Sequence, residues 1–239
     1  MYDIIFITYN DLEPDATNRY IECLKLFPTR RVNRIQNIKG IHQAHIEAAN
    51  RATTSMFYVI DADAEILPSF KFDLKLDPTE EDIVHVWRSI NPINGLEYGY
   101  GGVKLLPRQL TIDMDISSID MTTGISKRFK IIDQPSNITR FNTDALSTWR
   151  SSFRECVKLS SSIIPGQLAR ETIERLDVWR YNNSQAPFAE YSRGGASAGE
   201  WYGTTYKDDP IALAKINDFE WLAPQFNAHV AQFPPETFK

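Results

Sequence analysis

The sequence predicts an α/β fold, a mixed, mainly parallel sheet flanked by helices, and three observations carry that expectation. Short β-branched and aromatic runs at residues 3–9, 32–35, 56–60 and 83–87 read as buried strands. Between them lie stretches whose apolar residues recur at helical spacing, and strand–helix alternation favours parallel pairing. The second half then turns from strand-rich to helix-rich. At 239 residues the chain suits one domain over 1–239, with a strand-rich half at 1–105 and a second half at 106–239.

The first run, DIIFITY, ends at Asn10 and Asp11, and Asp15 or Thr17 can cap a helix over 17–27 that carries Tyr20, Ile21, Leu24 and Phe27 on one face. A short strand at 32–35 leads to a second helix over 41–52, with Ile41, Ala44, His45, Ala48 and Ala49 at helical spacing. MFYVI at 56–60 is the next strand, and DADAEI follows it directly. IVHVW at 83–87 reads as a third core strand, 88–100 as loop, and 99–106 as a turn entering another strand.

Residues 107–140 read as irregular, with short strands near Ile112 and Ile131. Thr143 or Asp144 can cap a helix to about Leu159, and 166–180 reads as another helix opened after Pro165. Residues 181–210 are rich in Asn, Ser, Gly, Tyr and Pro, which predicts a long loop with Gly194, Gly195 and Gly199 as the flexible points of an active-site lid. A last helix is expected from Ile211 to about Leu222, before a Pro-containing tail.

Composition narrows the function classes. With 13 Phe, 10 Tyr and 5 Trp the chain is not a disordered one, and its net charge of −5 excludes a generally basic nucleic-acid binder. The two cysteines, Cys23 and Cys156, suggest neither a disulfide framework nor a cysteine-rich zinc site, so a cytoplasmic compartment is expected. No apolar run approaches the length of a membrane span, so no membrane partner is expected.

The sharpest motif is Asp61-Ala62-Asp63 at the carboxyl end of a strand, where open α/β sheets bind ligands. Two hard oxygen ligands so close suit Mg²⁺ or Mn²⁺ shared with phosphate oxygens better than zinc. The competing explanation is a solvated acidic turn.

The context decides for a ligand site. Lys39 and Gly40, His45, Asn50 and then FYVIDADAEI resemble the family 2 type glycosyltransferases, in which a lysine–glycine-led helix bearing an Asn precedes a strand ending in Asp-x-Asp. The opening strand IIFITYN resembles their nucleotide-contacting first strand. The likeness covers residues 3–67 and implies a GT-A, Rossmann-like fold and a nucleotide-sugar donor, UDP-linked, with 1–105 as the nucleotide-sugar- and metal-binding half and 106–239 as the acceptor-binding half. It implies Asp61 and Asp63 on a Mn²⁺ or Mg²⁺ ion, Thr8 and Tyr9 in the nucleotide pocket, and Arg34, Lys39 and Asn50 near the base or diphosphate. It also implies a late histidine completing the metal shell, for which His229 is the candidate.

YGYGGVKLLP (98–107) and STWRSSFRECVKLS (147–160) are similar to small glycosyltransferase-like proteins of tailed bacteriophages. That likeness implies a double-stranded DNA acceptor with hydroxymethylated bases, 5-hydroxymethylcytosine among them, met in the host cytoplasm. Gly101 and Gly102 would permit close approach of the acceptor. Arg150, Arg154 and Lys158 share a helix face and could meet phosphates, although a solvated face is the commoner origin of such spacing. Asp144 is the candidate base for the acceptor hydroxyl, and equally a candidate helix cap.

Other classes fit less well. A sugar-phosphate nucleotidylyltransferase needs a glycine-rich basic loop after its first strand, which TYNDLEPDA is not, and an aspartyl phosphatase needs its Asp-x-Asp after the first strand. A non-catalytic nucleotide-sugar or virion binding protein on the same fold is the alternative of a different kind.

Overall fold

The computed structural model describes residues 1–9, 14–99, 101–164 and 166–238, so the expected turn at Asn10 and Asp11 and the expected helix opener Pro165 lie outside the described residues. The chain forms two compact units, Met1–Ile90 with Glu97–Arg140, and Asn91–Leu96 with Phe141–Lys239.

The first unit opens with β1 (Asp3–Thr8), α1 (Pro14–Leu26), β2 (Val32–Gln36), α2 (Ile41–Arg51) and β3 (Met56–Asp61). These match the predicted order, with one correction: α1 begins at Pro14, so Asp15 and Thr17 lie inside the helix and do not cap it. Asp15 there complements the positive end of the helix dipole. After β3 come β4 (Ala64–Ile66), β5 (Val84–Ile90), β6 (Glu97–Tyr98), β7 (Val103–Pro107), α3 (Arg108–Ile112), α4 (Met121–Ile125) and β8 (Phe129–Thr139).

The predicted loop over 88–100 therefore begins later, because β5 runs on to Ile90 and pairs with β6. Ile112, expected in a strand, ends the short helix α3. The expected short strand near Ile131 is an eleven-residue strand. Its length was hidden by Pro135, which sits opposite Arg88 at a bulge where the β5–β8 register shifts. Proline is tolerated in a sheet at such a bulge, where it breaks no regular ladder.

The sheet has eight strands in the order β2-β1-β3-β7-β5-β8-β4, with β6 on β5. The α/β class with a mixed sheet is as predicted. The parallel pairs are β1–β2, β1–β3 and β5–β8, and β7 runs antiparallel between β3 and β5. Alternation along each strand builds two cores, one per face. Ile4, Phe6, Tyr58, Ile60, Leu105, Trp87, Phe70 and Phe72 fill one. Ile5, Phe57, Val59, Val86 and Leu106 fill the other, with Ala48 and Ala49 of α2.

The second unit is helical: α5 (Ala145–Ser161), α6 (Ala169–Tyr181), α7 (Ala189–Thr205), α8 (Pro210–Ala214) and α9 (Phe219–Gln232). The lid expected over 181–210 is overturned by α7, a seventeen-residue helix. Gly195, Gly199 and Gly203 lie where the backbone of α5 passes close by. A Cβ at Gly199 would come within 2.4 Å of the Phe153 carbonyl oxygen, and one at Gly195 equally near that of Trp149. Spacing of four along α7 lines Gly195, Gly199 and Gly203 against α5, so these glycines pack a seam and do not hinge a loop.

The single helix expected over Ile211–Leu222 is divided. A 3₁₀ turn at Lys215–Asn217 follows α8, and Asp218 starts α9 by accepting from the amides of Glu220 at 3.0 Å and Trp221 at 3.2 Å. Trp149 and Phe153 of α5 are buried and stacked at 4.8 Å.

Candidate functional site

The edge of the first unit's sheet at the carboxyl ends of β1 and β3 gathers the candidate residues. Asp61 closes β3 opposite Ile7 of β1, and its amide donates to the Gly102 carbonyl at 3.0 Å. Because β7 is antiparallel to β3, its first residues and the glycines before it reach the same edge. Ala62 and Asp63 form the turn into β4. That turn is pinned twice, by Arg19 Nε of α1 on the Ala62 carbonyl at 2.6 Å and by the Arg140 amide on the Asp63 carbonyl at 2.7 Å.

Lys104 is the residue the sequence reading missed. It stands on β7 opposite Val59, is only 3% exposed, and its ammonium donates to Asp61 Oδ2 at 2.7 Å and to the Gly101 carbonyl. Gly101 turns that carbonyl toward the lysine with a φ of 85°, a conformation that favours glycine. A lysine in the run VKLLP, otherwise apolar and fully buried, was the available signal.

Gly102 is required for a different reason. A Cβ there would come within 2.5 Å of Asn137 Nδ2. Asn137 is fully buried: its Oδ1 accepts from Ser89 Oγ at 2.9 Å and Ser136 Oγ at 2.8 Å, and its Nδ2 donates to Thr139 Oγ1 at 3.1 Å. A satisfied polar network of this kind stiffens the floor beneath the glycine pair.

Burial and charge act strongly on Asp63. Burial, then the charge of Asp61, pushes Asp63 up to about 6, while Arg19 and Lys104 pull it back. His45 of α2 is buried beside the pair; burial, then the Lys104 ammonium, pushes it down to about 4, so it is neutral at pH 7. Its Nδ1 lies 2.8 Å from the Ile41 carbonyl, which can only accept, so Nδ1 carries the proton and Nε2 a lone pair. Next to the turn, Arg140 grips Glu65 with both Nε at 2.6 Å and an Nη at 3.1 Å, which holds Glu65 below its ordinary value.

The remaining candidates divide by position. Thr8, at the end of β1, is buried; its hydroxyl donates to the Ile35 carbonyl at 3.2 Å and accepts from Arg34 Nε at 3.1 Å. Arg34 also lies over the Tyr20 ring at 5.4 Å, and Tyr9 is exposed. Lys39 is exposed just before α2, whose first turn follows Gly40. Asn50 is exposed in the last turn of α2, nine residues and so about 13 Å along the helix from Ile41. The structure thus brings Thr8, Arg34, Asp61, Asp63, Gly101 and Gly102 to one sheet edge and leaves Asn50 at the far end of its helix.

The candidates of the second unit have work within that unit. Asp144 caps α5, accepting from the Ser147 amide at 2.8 Å and the Ser147 hydroxyl at 2.7 Å. Burial acts to raise its carboxyl, but those hydrogen bonds outweigh burial and hold it below the usual range. Arg150 stacks over Phe219 at 4.1 Å, and Arg154 donates to the Ile216 carbonyl at 2.8 Å and Asn217 Oδ1 at 3.0 Å. His229 lies between Trp149 and Phe238, with ring centroids 5.7 Å from each, and burial lowers its pKa. Among the described residues no three His, Cys, Asp or Glu side chains are grouped to hold a metal ion, and no helix is long and apolar enough to cross a membrane.

No family model and no curated protein sequence matches the chain. Among solved structures it is similar to HddC from Yersinia pseudotuberculosis, at 13% identity and a TM-score of 0.33 over 59% of this chain and 91% of that one. It is also similar to residues 1–349 of TarS from S. aureus, at 9% identity and a TM-score of 0.37 over 92% of each chain. At such values neither likeness bears on activity, and the site has to be read from its own geometry.

Proposed function

We propose that this chain is a glycosyltransferase that moves a sugar from a nucleotide-sugar donor, UDP-linked, to a hydroxyl acceptor, with a divalent metal ion held at Asp61 and Asp63. The observation that carries the reading is the pair of carboxylates at the carboxyl end of β3 beside a buried lysine, on an edge floored by two glycines. The donor set suits the ion. Both ligands are hard carboxylate oxygens, Mg²⁺ and Mn²⁺ take one or two of these together with phosphate oxygens, and the charge repulsion that lifts Asp63 is relieved by a cation. Bound there, the ion supplies Lewis-acid neutralisation of the departing diphosphate.

The protein's own groups do the rest. Lys104 adds a second positive charge at the same edge, and the Gly101–Gly102 backbone lets a ligand approach without side-chain obstruction. Thr8 and Arg34 on the neighbouring strand ends support the nucleotide side of the site. Asp144 is bound as a cap with a lowered pKa, so it is a weak base, and Arg150 and Arg154 are engaged in their own unit. A double-stranded DNA acceptor with hydroxymethylated bases rests on the phage resemblance alone, and hydroxymethylated DNA is the acceptor to assay beside small hydroxyl compounds.

Thermal stabilisation by a panel of nucleotide sugars, each with and without Mn²⁺, tests the reading, since a ligand of the native state raises apparent stability. One donor should stabilise the protein in a Mn²⁺-dependent way. Asp63→Asn should fold, lose that shift, and release nucleoside diphosphate at least about 100-fold more slowly, the order lost when one electrostatic stabiliser of a transition state is removed. Turnover by Asp63→Asn at the wild-type rate would remove the metal from the reading, and no shift with any donor would favour a non-catalytic binding protein.

A further inference from the structure

We infer that Lys104 is a built-in competitor of the divalent ion at Asp61, so that the ion enters this site only together with an anion of the diphosphate class. The inference rests on the transferase reading for the identity of that anion. Asp61 and Asp63 bring two negative charges, and Lys104 and Arg19 bring two positive charges to bear on the same turn. Lys104 already answers the Asp61 carboxylate charge for charge. A bare divalent ion at Asp61 would be set against that ammonium in a partly desolvated place, where repulsion is several-fold stronger than in water. A diphosphate supplies the missing negative charge.

The lysine is built to hold Asp61 and also to let it go. Its stem is buried, and its ammonium stays anchored to the Gly101 carbonyl whatever happens at Asp61. An ammonium carries three N–H groups, so its bond to the Gly101 carbonyl does not depend on the one to Asp61. His45 is 2% exposed, its Nδ1–H is committed to the Ile41 carbonyl, and its Nε2 is buried with no hydrogen-bond partner. Lys104 and Asp61 are the charged groups that act on that ring most strongly. His45 is neutral, so it adds no further positive charge against the ammonium once a ligand takes Asp61.

Mn²⁺ binding to the full chain, read from the electron paramagnetic resonance signal of the free ion, tests this without any activity assay. Wild-type protein should bind Mn²⁺ weakly alone and at least about tenfold more tightly with UDP, and Lys104→Met should bind Mn²⁺ alone at least about tenfold more tightly than wild type. Lys104→Gln keeps a hydrogen-bond donor at the position while removing the charge, and carries the same expectation if the Met variant does not fold. Equal Mn²⁺ affinity in wild type and the folded charge-removal variant overturns the inference. A tighter Mn²⁺ site in that variant, with no binding of UDP or any nucleotide sugar, upholds Lys104 as the competitor and sinks the transferase reading. Nucleotide-sugar binding with unchanged Mn²⁺ affinity does the reverse.

Discussion

Asp63 makes the site sensitive to pH in a direction that can be worked out. Burial, then the charge of Asp61, raises its carboxyl to about 6 in the folded chain, against an ordinary 3.8. A raised folded-state pKa means the folded protein holds that proton more tightly than the unfolded one. The stability this contributes is complete below the ordinary value and is lost as pH rises through about 6. Metal-free wild type should therefore lose more melting temperature between about pH 4 and about pH 7 than Asp63→Asn does, and an equal loss in both proteins would refute the assignment. The two aspartates were readable because a strand end in an α/β sheet is a ligand position whatever the tertiary detail. Lys104 was not, since its meaning depends on β7 lying antiparallel beside β3, a long-range pairing that no local pattern announces.

At the scale of elements, β1, α1, β2, α2 and β3 were legible because short β-branched, apolar runs mark the strands and period 3.6 marks the helices. Strand β8 and helix α7 were not. Pro135 and Asp133 interrupt the first, and the bulge that accommodates the proline exists only through pairing with β5. Four glycines argue locally against the second, and the value of three of them, Gly195, Gly199 and Gly203, appears only when α5 lies across them. The cost of adding a methyl group tests that account. At Gly199 the Cβ would meet backbone, the Phe153 carbonyl oxygen at 2.4 Å, whereas at Gly194 it would meet the His229 and Phe238 side chains at 3.0 Å and beyond. Backbone cannot give way as side chains can, so Gly199→Ala should destabilise the protein by about 1–3 kcal/mol in urea unfolding, despite alanine's better helix propensity. Gly194→Ala should cost less; equal costs would contradict the close-packed seam.

For the molecule as a whole, each unit has its own core, a two-faced sheet in one and a helical assembly in the other. The expected division at 105/106 falls inside β7, because strand-rich sequence does not end where the sheet does: β8 continues it to Thr139. Asp61, Asp63, Lys104, Arg19 and the Gly101–Gly102 pair all belong to the first unit. A donor that binds there at about 100 times its dissociation constant stabilises the state it binds by about 2.7 kcal/mol, and only backbone whose opening destroys the site feels that energy. Amide hydrogen exchange in the presence of Mn²⁺ and the stabilising nucleotide sugar should accordingly slow in β1, β3 and β7, whose ends form the site. The α5–α7 seam should exchange as in the free protein, since its hydrogen bonds open without releasing the ligand. Slowing confined to α5 and α7, with β3 and β7 unchanged, would move the donor site to the helical unit and leave the carboxylate pair as an ordinary acidic turn.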